Sequence, residues 1–355
     1  MCFVNERIWF RNLSGHAICQ WESFIMVELE IKLYDRNNRE KWDDFVMNRS
    51  VNGTFLQTKK FLDYHGDRFE DASIIMYKGN GTMVAVVPAC TIVEDGQKIF
   101  SAHSGSTFGG IVVAEEFYNI KHMDAIMNAF EEYLKCNGYA KVCLKCTGDI
   151  FARQNGNLLY YFLFQRGYIS YDEISFYIEF SEYHDDIVSN FSSAKRRDYK
   201  YSLKNNLTFK KLETKGEIES FYEILCDNLR KFDAVPVHSL AEIIDFKETR
   251  LRDIVEVYGV YQEDRMLAGS MVFLFGDRVF HTQYLAADQD CLNLYPMNFM
   301  DYNLIQTARD RGFRYFSFGT STYEHGKVLN KSLAEFKEGF GTQCGLNKTY
   351  VKNFN

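Results

Sequence analysis

Proline is nearly absent from this chain, with 3 in 355 residues, so Pro-rich spacers are excluded and disorder is expected only at the ends. There is no run of about 18 apolar residues, the length a helix needs to cross a bilayer, so no membrane span is expected. Charge of one sign is not in excess. The 41 Lys and Arg against 48 Asp and Glu leave a net charge of −7, which argues against a protein that grips DNA over its whole surface. Cysteine lacks a framework: the 9 residues are odd in number and irregularly spaced, which reads as reduced thiols in a cytoplasmic protein. The close pair Cys143 and Cys146 falls in an apolar, strand-like run without a second Cys/His pair at zinc spacing, so no metal is expected. The opening residues lack the basic, apolar, small-residue order of a secretory signal. Residues 1–26 are read as an N-terminal extension, with Met26 as a candidate start.

What is present is a weak internal duplication, in a chain long enough for two domains. In the first half, Ser73–Lys78 and Thr82–Ile92 read as strands joined by the tight turn Gly79-Asn80-Gly81. A third strand near Lys98–His103 leads into the Gly-rich segment Gly105–Gly110. Ile120, Met123, Ile126, Met127, Phe130 and Leu134 then recur at helical spacing, predicting a helix over Asn119–Asn137 that Gly138 ends. The strand Tyr139–Lys145, the helix Leu158–Gln165 ending at Gly167-Tyr168, and the strand Ile174–Phe180 complete the half. The second half repeats the order. A hairpin joins Val255–Tyr261 to Leu267–Leu274, and Val279–Ala286 follows as a strand. The helix Pro296–Arg311 stops at Gly312-Phe313, and Arg314–Phe318 is the next strand. The short helix Leu333–Glu338 stops at Gly339-Phe340, before a last strand over Lys348–Val351. Mixed order of this kind predicts α/β sheets with flanking helices, in two units over residues 27–182 and 183–355. A helix predicted over Ile187–Asn205 opens the second unit and holds the densest basic cluster.

Four segments carry a family resemblance: Trp42-Asp43-Asp44-Phe45-Val46 with Asn52-Gly53-Thr54-Phe55-Leu56; Lys195-Arg196-Arg197-Asp198 with Leu203-Lys204-Asn205-Asn206; Tyr315-Phe316-Ser317-Phe318-Gly319; and Phe336-Lys337-Glu338-Gly339-Phe340-Gly341. In this order they resemble the FemAB-like group, the tandem form of the GNAT-type acetyltransferases, over about residues 28–355. That group includes peptidoglycan bridge-forming enzymes and acyltransferases of polysaccharide clusters. The resemblance implies two acetyltransferase-like domains and a role in cell-envelope biogenesis. It implies transfer of an acyl group, without a covalent intermediate, to an amino group of an envelope precursor such as the aminosugar of a surface polysaccharide intermediate. Aminoacyl-tRNA-dependent transfer onto a peptidoglycan precursor is the alternative within the class; a non-catalytic ligand-binding or scaffold protein is the alternative outside it. Ser317 stands where many relatives carry Asp, so no carboxylate role passes to it. The place of the family's Gly-containing pyrophosphate loop is taken by Cys291-Leu292-Asn293-Leu294-Tyr295-Pro296, without glycine. The donor therefore stays open between an acyl-CoA and an aminoacyl-tRNA, and a lipid-linked or small-molecule precursor is the expected partner.

Transfer to an amine needs a neutral nitrogen, a polarised carbonyl and a fixed approach. No G-x-S-x-G elbow suggests a covalent intermediate. Lys337, matching the family's lysine, is the first catalytic candidate, to hold a phosphate or the developing oxyanion. Lys195, Arg196, Arg197 and Lys200 span under two helical turns and are candidates for binding phosphates. His103 and Gly109, in the Gly-rich turn, are expected to line the acceptor cleft. His281, with Tyr284 three residues on, is a proton-relay candidate. Tyr323, Glu324 and His325 follow a strand end, where open α/β sheets bind ligands, and are candidates for base or acceptor recognition.

Overall fold

The computed structural model describes residues 28–231 and 233–354, so the proposed extension over residues 1–26 lies outside the described residues. The first half contains strands β1 (Leu29–Leu33), β2 (Ile74–Lys78), β3 (Met83–Val87), β4 (Cys90–Glu94) and β5 (Gln97–Ala102), helix α1 (Ile120–Cys136), β6 (Lys141–Lys145), α2 (Asn157–Gln165) and β7 (Ile169–Glu179). The second contains α3 (Ser193–Ser202), β8 (Leu207–Lys211), α4 (Lys215–Arg230), β9 (Val255–Gln262), β10 (Arg265–Phe275), β11 (Val279–Ala287), α5 (Pro296–Asp310), β12 (Tyr315–Thr320), α6 (Lys331–Glu338) and β13 (Gln343–Asn353).

Three of the four glycine–aromatic marks end helices by the same device. Gly138, Gly167 and Gly312 take φ of +71°, +77° and +78°. The next residue, Tyr139, Tyr168 or Phe313, donates its N–H to the carbonyl of Leu134, Leu163 or Ala308, five positions back. These are Schellman closures, with the aromatic ring buried beneath the helix end. Gly339 differs: its φ is −58° and it serves a close contact described below. On α1, Met123, Ile126, Met127, Phe130 and Leu134 are buried as their spacing predicts, whereas Ile120 is 72% exposed.

The two halves share one sheet. Its 11 strands run β8-β9-β10-β11-β12-β7-β13-β6-β5-β4 and end on Glu70–Asp71. The last strand of each half crosses over: β7 pairs with β12, and β13 pairs with β7 and β6, all antiparallel. The chain thus has two consecutive units in sequence but no seam in the sheet between them. A second sheet, β1-β2-β3 with Val112–Val113, covers the first half. The run expected as one strand over residues 82–92 is divided, because Pro88 lies between β3 and β4 and the two strands belong to different sheets. The expected helix over 187–205 is a short 3-10 turn at Ile187–Asn190 followed by α3.

Two strand pairs are parallel, and each sits in the same place in its half. In the first, Ile99, Phe100, Ser101 and Ala102 face Lys141, Val142, Cys143 and Leu144. In the second, pairing stops after Val279–Tyr315, Phe280–Phe316 and His281–Ser317. Just beyond, both strands bulge. The β10–β11 register shifts between Met271 and Val272, and the β12–β7 register between Ser317 and Gly319. Bulges bend strands and increase their twist, so β11 and β12 diverge here. Among the described residues no helix is long and apolar enough to cross a membrane.

Candidate functional site

A cavity of about 350 Å³ opens where β11 and β12 part. The second half contributes residues 281–285 of β11, 317–320 of β12, Leu225 and Leu229 of α4, and Leu333 and Lys337 of α6. The first half closes it with Leu56, Thr107, Phe108 and Phe151. The lining mixes aromatic and aliphatic side chains with hydroxyl, amide and imidazole groups, and among the described lining residues Lys337 is the one cation.

Lys337 is only 4% exposed. Its Nζ donates to the carbonyls of Thr320 at 2.6 Å and Gly319 at 3.2 Å. An ammonium has three N–H donors, so one is left for a ligand. Burial pushes its pKa down to about 7, against the opposing pull of the Asp301 carboxylate. The carbonyls are presented by a strand end with Gly319 at φ +70°, where a β-carbon would also come within 3.2 Å of His281 Cε1.

His281 lies opposite, its ring edge-on to Phe151 and Phe275. Its Nδ1 is 3.1 Å from Ser317 Oγ, which also accepts the Gly319 N–H. Burial, then the charge of Lys337, pushes the imidazole down to about 4, so it is neutral at pH 7. Ser317 is a neutral partner for a neutral ring. Farther along β11, the Tyr284 hydroxyl lies 2.8 Å from His238 Nδ1. Burial holds His238 down to about 4 and lifts Tyr284 to about 12, so a neutral imidazole and a protonated phenol share this hydrogen bond at pH 7.

The structure brings Lys337, His281 and Tyr284 together in the cavity and separates the other candidates from it. Tyr323, Glu324 and His325 are exposed at the hairpin of Thr322–Tyr323 with Val328–Leu329, where the Tyr323 hydroxyl accepts from Asn330 Nδ2. None of the three lines the cavity. Arg196, Arg197 and Lys200 lie exposed along α3, whereas Lys195 turns inward over the Phe336 ring of α6. His103 lines a different, polar cavity of about 320 Å³ and stacks on His65 at 5.3 Å.

Gly109 is buried between the ends of β5 and β6. Its N–H bonds to Lys145 O at 2.7 Å, and a β-carbon would fall 2.3 Å from the Ala102 carbonyl. The glycine thus fills the gap below the first parallel pair, while its loop neighbours Thr107 and Phe108 reach the main cavity. Gln57 anchors this plug: its Nε2 donates to Gly109 O at 3.0 Å and to Thr147 Oγ1 at 2.7 Å. Trp42 Nε1 in turn donates to Gln57 O, and Asn52 clamps Ile111 O and Val113 N. The opening motif of the resemblance is therefore the frame of the plug. Sequence reasoning did not find His238 or Asp301. For Asp301 there was a signal: a carboxylate on the apolar face of α5, alongside Met300, Leu304 and Ala308.

The turn ahead of α5 does not fit a pyrophosphate. Pro296 removes an N–H from the first turn, and Tyr295, at φ 56°, makes no side-chain cap. Asp288 and Asp290 add negative charge there, with Arg265 already held by Asp288 at 2.6 Å. A coenzyme A diphosphate would meet carboxylates where the helix N-terminus should receive it.

A continuous sheet built from two hairpin–helix–strand units, with a cavity where a parallel pair splits, defines the tandem GNAT-type acetyltransferase fold. Residues 196–327 match the acetyltransferase (GNAT) domain family, and this stretch contains most of the cavity wall. The fold is similar to that of FemX, with a TM-score of 0.66 at 14% identity over 92% of this chain and 98% of that one. It is also similar to L-PGS from Bacillus licheniformis, at 0.56 and 13% over 91% and 94%. A tandem GNAT protein from the clavulanic acid biosynthesis pathway follows, at 0.53 and 10% over 92% and 98%. No curated protein matches the chain in sequence.

Proposed function

We propose that this protein is a cytoplasmic N-acyltransferase that joins an activated acyl group to an amine of a cell-envelope precursor, such as an aminosugar of a surface polysaccharide intermediate. The observation that carries the reading is Lys337: a buried ammonium with two N–H groups fixed on carbonyls and a third left over, in a cavity walled by aromatic, aliphatic and uncharged polar side chains. In such a site a fixed donor stabilises developing negative charge far more than in water. The amine nitrogen attacks the acyl carbon, and the carbonyl oxygen takes the negative charge against Lys337. The nitrogen's proton passes to His281, a neutral acceptor on the facing wall, and from it to the departing thiolate or ribose oxygen as the oxyanion collapses and the bond to the leaving group breaks.

The misfit ahead of α5 favours a second donor, an aminoacyl ester on tRNA, and the exposed Arg196, Arg197 and Lys200 are suited to a phosphate backbone. The test is to incubate the protein with acetyl-CoA or charged tRNA and a UDP-linked aminosugar or peptidoglycan precursor, reading transfer by mass spectrometry. Product that disappears in Lys337→Met supports the reading, and the productive donor chooses between its two forms. Ligand-specific stabilisation without product from any pair would replace the enzyme with a binding protein.

A further inference from the structure

Asp301 is fully buried on α5, and neither carboxylate oxygen has a hydrogen-bond partner. A lone carboxylate in such a place costs several kcal/mol unless cations surround it. Two ammonium groups, on different helices, act on it from beyond hydrogen-bond reach. α3 packs on α5 through Tyr199 and Tyr302, whose rings stack at 4.3 Å. From α3, Lys195 reaches inward until its Nζ stands 3.5 Å from the Phe336 ring centre and 4.8 Å from that of Phe340. Gly339 makes the room, since a β-carbon there would sit 2.7 Å from Lys195 Cγ. From α6, Lys337 extends to the strand end at Gly319 and Thr320. Both ammonium groups act on Asp301. The other ionisable groups facing this set are Asp198, on α3, which acts on Lys195, and His281, on β11, which is neutral.

We propose that Asp301 is a positioning residue for the cavity lysine: its enclosed carboxylate is the counter-charge shared by Lys195 and Lys337, keeping the Lys337 ammonium protonated and tying it to the basic helix. Two ammonium groups and one carboxylate leave the cluster with a single net positive charge away from water. That matches one developing oxyanion, and it rests on the reading of Lys337 as the cavity cation. Burial raises the Asp301 pKa and lowers that of Lys195, so each needs the other to stay ionised.

The test is to label lysine with 13C at Cε, assign Lys337 by its loss in Lys337→Met, and titrate the full chain by NMR. In Asp301→Asn the Lys337 midpoint falls by about one unit or more, the effect of removing a nearby opposite charge. Lys195→Met moves it the same way by less, because Asp301 then takes up a proton at higher pH. On the Asp301→Asn background Lys195→Met moves it no further. A Lys337 midpoint unchanged in a folded Asp301→Asn protein overturns the proposal. If that variant does not fold, carboxyl-labelled aspartate in the wild-type protein decides: Asp301 and Lys337 each show the other's inflection, or two independent single steps refute the link. These resonances report charge whatever the donor is. A coupled titration in a protein without transfer activity therefore leaves Asp301 its role and removes the transferase reading, and activity without coupling does the reverse.

Discussion

The two parallel strand pairs, β5–β6 and β11–β12, occupy equivalent places in the two halves yet meet opposite fates. Below β5–β6 the chain returns, inserts Gly109 between the strand ends and satisfies Lys145 O with its own N–H. Below β11–β12 no loop among the described residues returns between the strand ends, and the gap becomes a cavity with a lysine at its edge. A split parallel pair exposes backbone groups that must be satisfied by something. The first half uses its own loop; in the second, Lys337 binds the carbonyls of Gly319 and Thr320 and leaves space. One half has become the support and the other the site, and the support's loop also closes the site through Thr107 and Phe108.

The strongest way to break that comparison is Lys337→Met. If the open half carries the chemistry, transfer falls about 10²- to 10³-fold, the loss seen when one oxyanion donor is removed, while circular dichroism stays unchanged. An unchanged rate would leave the cavity without a reaction. The plug half should respond in stability instead. Gly109→Val forces a side chain into backbone 2.3 Å away and is expected to lose about 1–3 kcal/mol, read from the urea midpoint. Gln57→Ala should follow with about 1–2 kcal/mol, because Gly109 O loses its Nε2 donor and the Thr54 N–H its acceptor in a buried place. If either variant melts like the wild type, the first half is not braced by this loop.

How much of this was legible follows from the kind of signal each part leaves. Helix stops were readable because Schellman closures need glycine and bury the next aromatic residue, as at Gly138-Tyr139 and Gly312-Phe313. The exchange of β7 and β13 was not, because strand partners leave no local mark; the strand expected over Ile174–Phe180 reads the same whether it pairs with β6 or with β12. α4 was missed although Thr214 and Glu217 form a capping box, and its Leu225 and Leu229 close the cavity. Lys337 was found through a motif, while Tyr323, Glu324 and His325 were placed by a rule about strand ends that ignores the side hairpin carrying them outward. The Gly-rich segment was sensed as a place of close approach, but the approaching partner was the protein's own backbone.

The smallest effect sharpens the comparison most, since it uses one histidine from each half. His103 follows β5 and His281 lies in β11, and burial pushes both down to about 4 from an unfolded value near 6.5. Between those limits the unfolded chain binds more protons than the folded one. Each ring's contribution is therefore complete above about pH 6.5 and is lost as the pH falls toward 4. His103→Gln and His281→Gln should each flatten the decline of stability between pH 6.5 and 4, measured by urea unfolding across that range. The two variants part company in activity: His281→Gln removes the proton acceptor facing Lys337 and slows transfer at neutral pH, whereas His103→Gln, in the separate polar cavity, leaves the rate alone. Equal loss of rate in both would mean that the plugged half also takes part in the reaction, and that its histidine pair belongs to the same site.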